Sequence, residues 1–243
     1  MMKTCIIIPC YNEEKRLPTK TFLKFIQNKD IHFCFVNDGS SDNTIDVLNS
    51  IKIKEPDKVL VINNNKNVGK AEAIREAVLE LYNLKLYDYI GFFDADLATP
   101  LFEIENLRNY FIINDSLILV MGSRIKRMGA NVNRKFHRFL FGRIFATIIS
   151  ANVLKLPVYD TQCGAKLFST KIPVAVFNDK FITKWLFDVE LIIRIKKLFG
   201  NDIIEKIVEY PLLEWVEKGE SKVKFTDFLN TPKEILKIKR KYK

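Results

Sequence analysis

Short runs rich in β-branched and aromatic residues alternate along the first half of the chain with stretches whose apolar residues recur at helical spacing. The first run, TCIIIP at residues 4–9, predicts a buried strand. Phe22, Phe25 and Ile26 then share one helical face. FCFVN at 33–37 predicts a second strand, after which Ser41 is placed to cap a helix bearing Ile45, Leu48 and Ile51. Residues 59–62 read as a third strand, followed by a helix with Ile74, Ala77, Val78 and Leu81 on one side. Strands at 90–93 and 117–122 flank a helix defined by Ile104, Leu107 and Phe111. Such alternation predicts an α/β sheet with substantial parallel pairing.

Ligands of these sheets bind beyond the carboxyl ends of the strands. Each predicted end here runs into polar residues: Tyr11, Asn12 and Glu13; Asp38; Asn67, Gly69 and Lys70; Asp94 and Asp96; Ser123 and Arg124. That convergence predicts a nucleotide site. If residues 94–96 continue the extended backbone, Asp94 and Asp96 project to one side. Two carboxylates so close repel unless a hard cation joins them, and Mg²⁺ or Mn²⁺ held this way keeps positions open for phosphate oxygens. A diphosphate-bearing ligand is the expectation. The first strand is not followed by G-x-G-x-x-G, and Gly69-Lys70 lacks the upstream glycine of a Walker A loop, so dinucleotide and P-loop readings lose their support.

Composition adds an anionic partner. The chain has 243 residues and a formal net charge of +10, and 48% of its residues are hydrophobic. This is enough for one sizeable core, and no linker or repeat divides it. The charge is uneven: residues 116–159 contain no Asp or Glu but include Arg124, Lys126, Arg127, Arg134, Lys135, Arg138, Arg143 and Lys155. A second basic cluster, IKRKYK, ends the sequence. Lipid headgroups, a phosphorylated substrate or nucleic acid would suit such a surface.

Residues 134–156 predict an apolar helix with basic residues at its start, although Arg143 interrupts its apolar arc. Its charge-free part, 144–154, falls short of the about 20 residues a bilayer span requires. It suits the membrane interface, with Phe136, Phe139, Leu140 and Ile144 inward, or else packing against the sheet. LFDVELIIRIKKLF reads as an amphipathic helix with Asp188 near its start, and Thr231-Pro232 as the cap and first turn of a last helix. The four cysteines lack zinc-site spacing, and the N-terminus lacks the order of a signal peptide, which leads to an expectation of reduced thiols in a cytoplasmic protein. Neither His32 nor His137 has a motif beside it, so thiol catalysis at Cys163 has no base.

IIIPCYNEE, VNDGSSDNT, NKNVGKAEAIREA and FFDADLATP resemble, in order, the nucleotide-sugar motifs of family 2 glycosyltransferases with the GT-A fold. DTQCGAKLF, KWLFDVELI and EWVEKGESKVKF are similar to a narrower group, the polyprenyl-phosphate glycosyltransferases, which includes the dolichyl-phosphate beta-glucosyltransferases. The resemblance implies a mixed, mostly parallel sheet flanked by helices and a single glycosyltransferase domain over 1–243. Residues 1–123 would form the nucleotide-sugar half, and 124–243 the acceptor half with its membrane-interface helices. It implies that Pro9, Tyr11, Asn12, Glu13 and Asp38 line the base and ribose pocket, Asp94 faces the nucleotide or metal, and Asp96 binds the metal. Gly69 and Lys70 join the donor site; Gln162, Lys166, Arg124, Ser221 and Lys222 are candidates for acceptor or diphosphate contacts. Ala98 stands where mannosyl-transferring relatives often carry Gln.

The expected reaction is metal-dependent transfer of a sugar, with inversion, from a nucleotide diphosphate sugar to a polyprenyl phosphate. UDP-glucose is favoured over GDP-sugars, and the protein is placed peripherally at the cytoplasmic face of a membrane. A leaving nucleoside diphosphate stabilised by metal needs no protein acid. Asp188, in its aromatic setting, would act as base for a hydroxyl acceptor, or orient the sugar for a phosphate acceptor. A glycan acceptor is the alternative within enzymes. A membrane- or nucleic-acid-binding module is the alternative outside them, but carboxylates at successive strand ends would repel a nucleic acid, and none is expected as a partner.

Overall fold

The computed structural model describes residues 3–218 and 225–242, with the side chains of 136–138, 141 and 225–230 left aside. In chain order the elements are β1 (Thr4–Cys10), α1 (Thr19–Asn28), β2 (His32–Asp38), α2 (Thr44–Lys54), β3 (Val59–Asn64), α3 (Lys70–Leu84), β4 (Tyr89–Phe93), α4 (Glu103–Ile113) and β5 (Leu119–Ser123). Then come β6 (Asn131–Asn133), α5 (Phe136–Ile149) running into a π-helical turn (Ser150–Leu154), β7 (Ala165–Ser169), α6 (Ala175–Asn178), α7 (Phe187–Phe199), α8 (Ile203–Lys206), β8 (Ile207–Pro211), β9 (Glu214–Val216) and α9 (Phe225–Lys241).

Among the described residues the main sheet has seven strands in the order β3-β2-β1-β4-β7-β5-β8. All pairs are parallel except those of β7, which runs antiparallel to both β4 and β5. β6 and β9 form a small parallel ribbon of their own. The substantial parallel pairing expected from the alternation is present, in the mixed, mostly parallel sheet that the resemblance implied.

Both faces of the sheet are covered, which is why the strands read as continuous apolar runs. On β1, Cys5 and Ile7 face a core shared with Ala73, Ile74, Ala77 and Val78 of α3 and Val189 and Ile192 of α7. Ile6, Ile8 and Cys10 face the other core, with Phe22 and Ile26 of α1, Leu48 of α2 and Ile104 and Leu107 of α4. Phe22 packs edge-on against Phe33 and Phe35, with ring centroids 5.6 and 5.1 Å apart.

Several boundaries differ from expectation. The N-cap position of α2 falls at Asn43 rather than Ser41, and the Thr44 N–H is accepted by Asp42 Oδ1 at 3.1 Å. β5 ends one residue later than expected, at Ser123. Pro232 lies inside α9 rather than in its first turn. An interior proline removes one helix hydrogen bond and crowds the carbonyl four residues before it, and packing holds the turns that follow: Ile238 is buried, and the Glu234 carboxylate accepts the backbone N–H of Leu186 at 3.3 Å.

Candidate active site

The loops after β1 and β2 are stitched together by local hydrogen bonds. Asn12, with φ of +52°, accepts the Ser41 N–H on its Oδ1 at 2.9 Å, and its own N–H donates to Ser40 Oγ at 3.0 Å. The Glu13 N–H donates to Thr44 Oγ1 at 2.8 Å, while Glu13 Oε1 accepts Arg16 at 2.8 Å. Tyr11 is 41% exposed beside them, and Pro9 is partly buried within β1. Asp38 holds backbone groups at the head of this edge. It is buried, and its two oxygens accept the N–H groups of Val68 and Gly69 at 2.8 and 2.9 Å. It thereby positions the loop that opens α3 at Lys70. Gly39 is required there, because a Cβ would lie 2.3 Å from the Asn67 nitrogen and φ is +61°.

The strand holding the aspartates stops at Phe93, so the extended geometry expected of Asp94 and Asp96 is corrected: residues 94–97 form a turn closed by Leu97 N–H to Asp94 O at 3.2 Å. Leu97 sits at φ +52°, and Asp96 Oδ1 accepts the Ala98 N–H at 2.9 Å. Ala98 thus shapes the turn through its backbone. The turn still keeps the carboxylates within each other's field: burial, then repulsion from Asp94 and Glu13, raises Asp96 above the usual carboxylate range. Lys70 Nζ meets Asp94 Oδ1 at 2.5 Å and lies 5.9 Å from the Phe187 ring centroid. Desolvation opposes the Lys70 charge, but Asp94, Asp188 and Asp96 outweigh it and raise its pKa. Among the described residues no group of three or more His, Cys, Asp or Glu could hold a metal. The donor set, two carboxylates with a cation already drawn to them, fits a hard divalent ion that takes its other ligands from phosphate and water.

Gly164 closes the back of this turn. The Asp94 N–H donates to Gly164 O at 3.2 Å, and a Cβ on Gly164 would stand 1.9 Å from Asp94 Oδ2. Gly164→Ala is expected to displace Asp94 and weaken Mn²⁺-dependent nucleotide binding at least about tenfold, since a misplaced ligating group typically costs 10- to 100-fold. Calorimetric titration checks this, and unchanged affinity would show that Asp94 is not needed where it stands.

Arg124, just past β5, is clasped by Asp160: Nε to Oδ2 at 2.6 Å and Nη2 to Oδ1 at 2.7 Å. Burial disfavours both charges, yet each stabilises the other, and Asp160 is held at about 2 while Arg124 is raised. With its folded value depressed, Asp160 contributes stability above the ordinary carboxyl range that is lost only as pH falls toward about 2. Glu209 on β8 fixes the clasp from behind, its two oxygens accepting the N–H groups of Tyr159 and Asp160 at 2.7 and 2.5 Å. The Arg124 guanidinium lies 5.4 Å, and that of Arg134 5.9 Å, from the ring centroid of Trp215 on β9. Arg134 has no ion-pair partner among the described residues, and burial followed by repulsion from Arg124 lowers its pKa. β9 is placed by Glu103, a buried carboxylate that accepts Tyr210 Oη and the N–H groups of Leu213 and Glu214 at 3.0, 2.7 and 2.9 Å.

Lys166, expected to touch acceptor or diphosphate, is instead fully buried in β7, and its ammonium is saturated. It donates to Thr161 O, Cys163 O and Asp188 Oδ1 at 3.0, 2.8 and 2.6 Å. Gln162, given the same role, donates its side-chain amide to Trp185 O at 3.2 Å. Both therefore tie the 160–164 loop to the segment that opens α7. Asp188 sits in the first turn of that helix, where the dipole favours it. Burial raises its pKa against the pull of Lys166 and Lys70. Glu190, the other carboxylate of the motif, accepts the N–H groups of Ile182 and Thr183 at 3.0 and 3.2 Å and an Arg194 contact at 2.8 Å, which is a structural role. Cys163 is buried and its thiol is pushed up to about 12, so it is no nucleophile. Ser221 and Lys222 lie outside the described residues.

In α5, Phe145, Ala146 and Ile149 turn to the core while Leu140, Ile144 and Ile148, four residues apart, remain about half exposed. Arg143 is drawn aside, donating to Tyr159 O at 2.7 Å with its guanidinium 3.6 Å from the Tyr159 ring centroid. The described helices include none long and apolar enough to cross a membrane.

Two carboxylates at one turn thus lie along the same sheet edge as the loops after β1, β2 and β3. The chain belongs to glycosyl transferase family 2, whose model matches residues 5–173, and it is a glycosyltransferase with a GT-A fold. It is 32% identical to the human dolichyl-phosphate beta-glucosyltransferase over 254 residues, covering 98% of this chain and 75% of that protein. It is 30% identical to dolichyl-phosphate beta-glucosyltransferase ALG5C of Trichomonas vaginalis, covering 97% of this chain and 70% of that one. Among solved structures it resembles glucosyl-3-phosphoglycerate synthase of Mycobacterium tuberculosis, with a TM-score of 0.69 at 15% identity over 99% of this chain and 80% of that chain. A form of that enzyme in complex with Mn²⁺ and UDP-glucose gives a TM-score of 0.68 at 15% identity, over 98% of this chain and 79% of that one.

Proposed function

We propose that the protein transfers glucose from UDP-glucose to a polyprenyl phosphate with inversion at the anomeric carbon. The observation that carries this reading is the pairing of two opposite seats. Asp94 and Asp96 form the anionic one; Arg124 and Arg134, both against Trp215, form the cationic one, and Arg124 lies within the field of Asp94. The likeness to dolichyl-phosphate beta-glucosyltransferases over nearly the whole chain supports the same donor and acceptor.

Asp94 and Asp96 would hold Mg²⁺ or Mn²⁺, which supplies charge stabilisation to the departing diphosphate. Asn12, Glu13 and Tyr11 border the space for base and ribose, and Asp38 holds that space open through residues 68 and 69. Lys70, on its short tether to Asp94, is placed to meet a phosphate oxygen. Arg124 and Arg134 would receive the acceptor phosphate. One of its oxygens attacks the anomeric carbon opposite the leaving group, the new C–O bond forms as the bond to the diphosphate breaks, and UDP leaves with the electron pair. A phosphate acceptor is already ionised near neutrality and has no proton to surrender. Asp188, bonded to Lys166, then orients the sugar and balances Lys70.

The raised Asp188 carboxyl favours a second reading, in which it is the base for a hydroxyl acceptor. Nucleoside diphosphate release from a panel of UDP- and GDP-sugars, with Mn²⁺ or Mg²⁺ and with or without a short prenyl phosphate, separates the two. The proposed reaction requires release from one UDP-sugar that is EDTA-sensitive and stimulated by the prenyl phosphate. Release stimulated by glycans instead, and abolished by Asp188→Asn, would replace it with the second reading. The basic, acid-poor surface and the exposed stripe of α5 support peripheral attachment at the cytoplasmic face of a membrane.

A further inference from the structure

We propose that the turn over residues 127–130 is a lipid-contacting tip that seats the protein on an anionic membrane next to the Arg124 and Arg134 seat; the acceptor it would serve there rests on the function proposed above. The segment between the two arginines is an out-and-back excursion, since its ends, Arg124 and Arg134, meet at the same Trp215 ring. Its base is fixed. The Asn131 N–H donates to Leu213 O at 2.7 Å, β6 pairs with β9, and Arg127 Nη2 donates to Pro211 O at 3.3 Å. The tip is a closed turn, with the Ala130 N–H donating to Arg127 O at 3.2 Å and Gly129 at φ +79°.

The turn displays apolar and cationic side chains together. Met128 is 97% exposed and directly follows exposed Lys126 and Arg127, with Leu213 also exposed at the base. An unbranched apolar side chain at the tip of a turn just after two cations, on a stretch without a carboxylate from 116 to 159, matches a headgroup layer with acyl chains beneath it. The cations attract the surface, and the thioether enters it. Neither alone gives firm attachment, and the turn supplies both.

The test uses the full chain and vesicles of phosphatidylcholine, either pure or mixed with phosphatidylglycerol. Met128→Cys can be labelled selectively with a polarity-sensitive fluorophore, because Cys5, Cys10, Cys34 and Cys163 are all buried. A blue shift with the anionic vesicles only is expected. Met128→Asp should lower sedimentation with these vesicles about tenfold, the loss of part of one apolar side chain's transfer. Lys126→Glu, which leaves the Arg127 bond to Pro211 in place, should also lower sedimentation and weaken its salt dependence. Met128→Asp should leave turnover of a short, water-soluble prenyl phosphate unchanged while reducing turnover of a long one embedded in vesicles. A label that does not shift, or a chain that ignores vesicles and binds RNA, overturns the proposal. The vesicle readouts need no glycosyl transfer, so they stand if the acceptor proves to be a glycan; stimulation by the soluble phosphate without any label shift would uphold the acceptor and remove the tip.

Discussion

Lys166→Met is expected to destabilise the protein by about 3–5 kcal/mol, the usual result of leaving one member of a buried ion pair alone. At this chain length that lowers Tm by roughly 10 °C. The reason lies in the bonds the ammonium makes: Thr161 O and Cys163 O lose their donor, and Asp188 is left buried without its cation. Adding Asp188→Asn removes the stranded charge, so the double variant should regain part of the lost stability, a coupling readable as a double-mutant cycle. It should not regain turnover, because Asp188 is lost and the 160–164 loop is no longer pinned. Thermal unfolding and donor turnover measured on both variants provide the check. A single variant with the Tm of the wild type would mean that the buried pair is not holding the site.

Asp96→Asn has the opposite profile. Turnover is expected to fall about a hundred- to a thousand-fold, the range seen when one preorganised charge-stabilising group is removed. Stability without metal should not fall. Burial and repulsion from Asp94 raise the Asp96 carboxyl, so its contribution to stability is present below the ordinary value of about 3.9 and is lost as pH rises through the folded-state value. Near neutrality, ionised Asp96 therefore opposes folding, and Asn removes that opposition while its side-chain oxygen still accepts the Ala98 N–H. Unfolding curves between pH 4 and 8 should be flatter for the variant, and Mn²⁺ should no longer raise its Tm. A variant that loses stability at neutral pH, or keeps its Mn²⁺ response, would remove Asp96 from the metal site.

The strands were legible because a sheet covered on both faces needs uninterrupted apolar residues, as in Cys5 to Ile8 and Phe33 to Val36. β7 was not legible as a strand. It is short, and its Lys166 looks solvent-seeking in sequence; only the Thr161 and Cys163 carbonyls and Asp188, brought together by the fold, make it a core residue. The polar residues at the strand ends were legible by type, but the backbone bonds they make were not: Asp38 holds the N–H groups of residues 68 and 69, and Gln162 the carbonyl of Trp185. Asp160, Glu209, Glu103 and Trp215 were not singled out. Asp160 did carry a trace, as the first carboxylate after the long acid-free stretch, but its partner Arg124 lies across an intervening excursion that no spacing rule anticipates.

The placement of β7 has a consequence for how the protein is made. β4 and β5 are consecutive strands that do not pair, because β7, which begins forty-two residues after β5 ends at Ser123, lies between them. A nascent chain that has just completed β5 already carries every donor motif, yet one side of β4 is an open edge and Asp94 lacks the Gly164 carbonyl behind it. Open edges invite pairing with other chains, and closing a gap of this length is slow compared with local folding. The donor pocket is thus among the last parts of the molecule to become functional, and a fragment ending at residue 123 would be more prone to aggregate than to bind a nucleotide sugar.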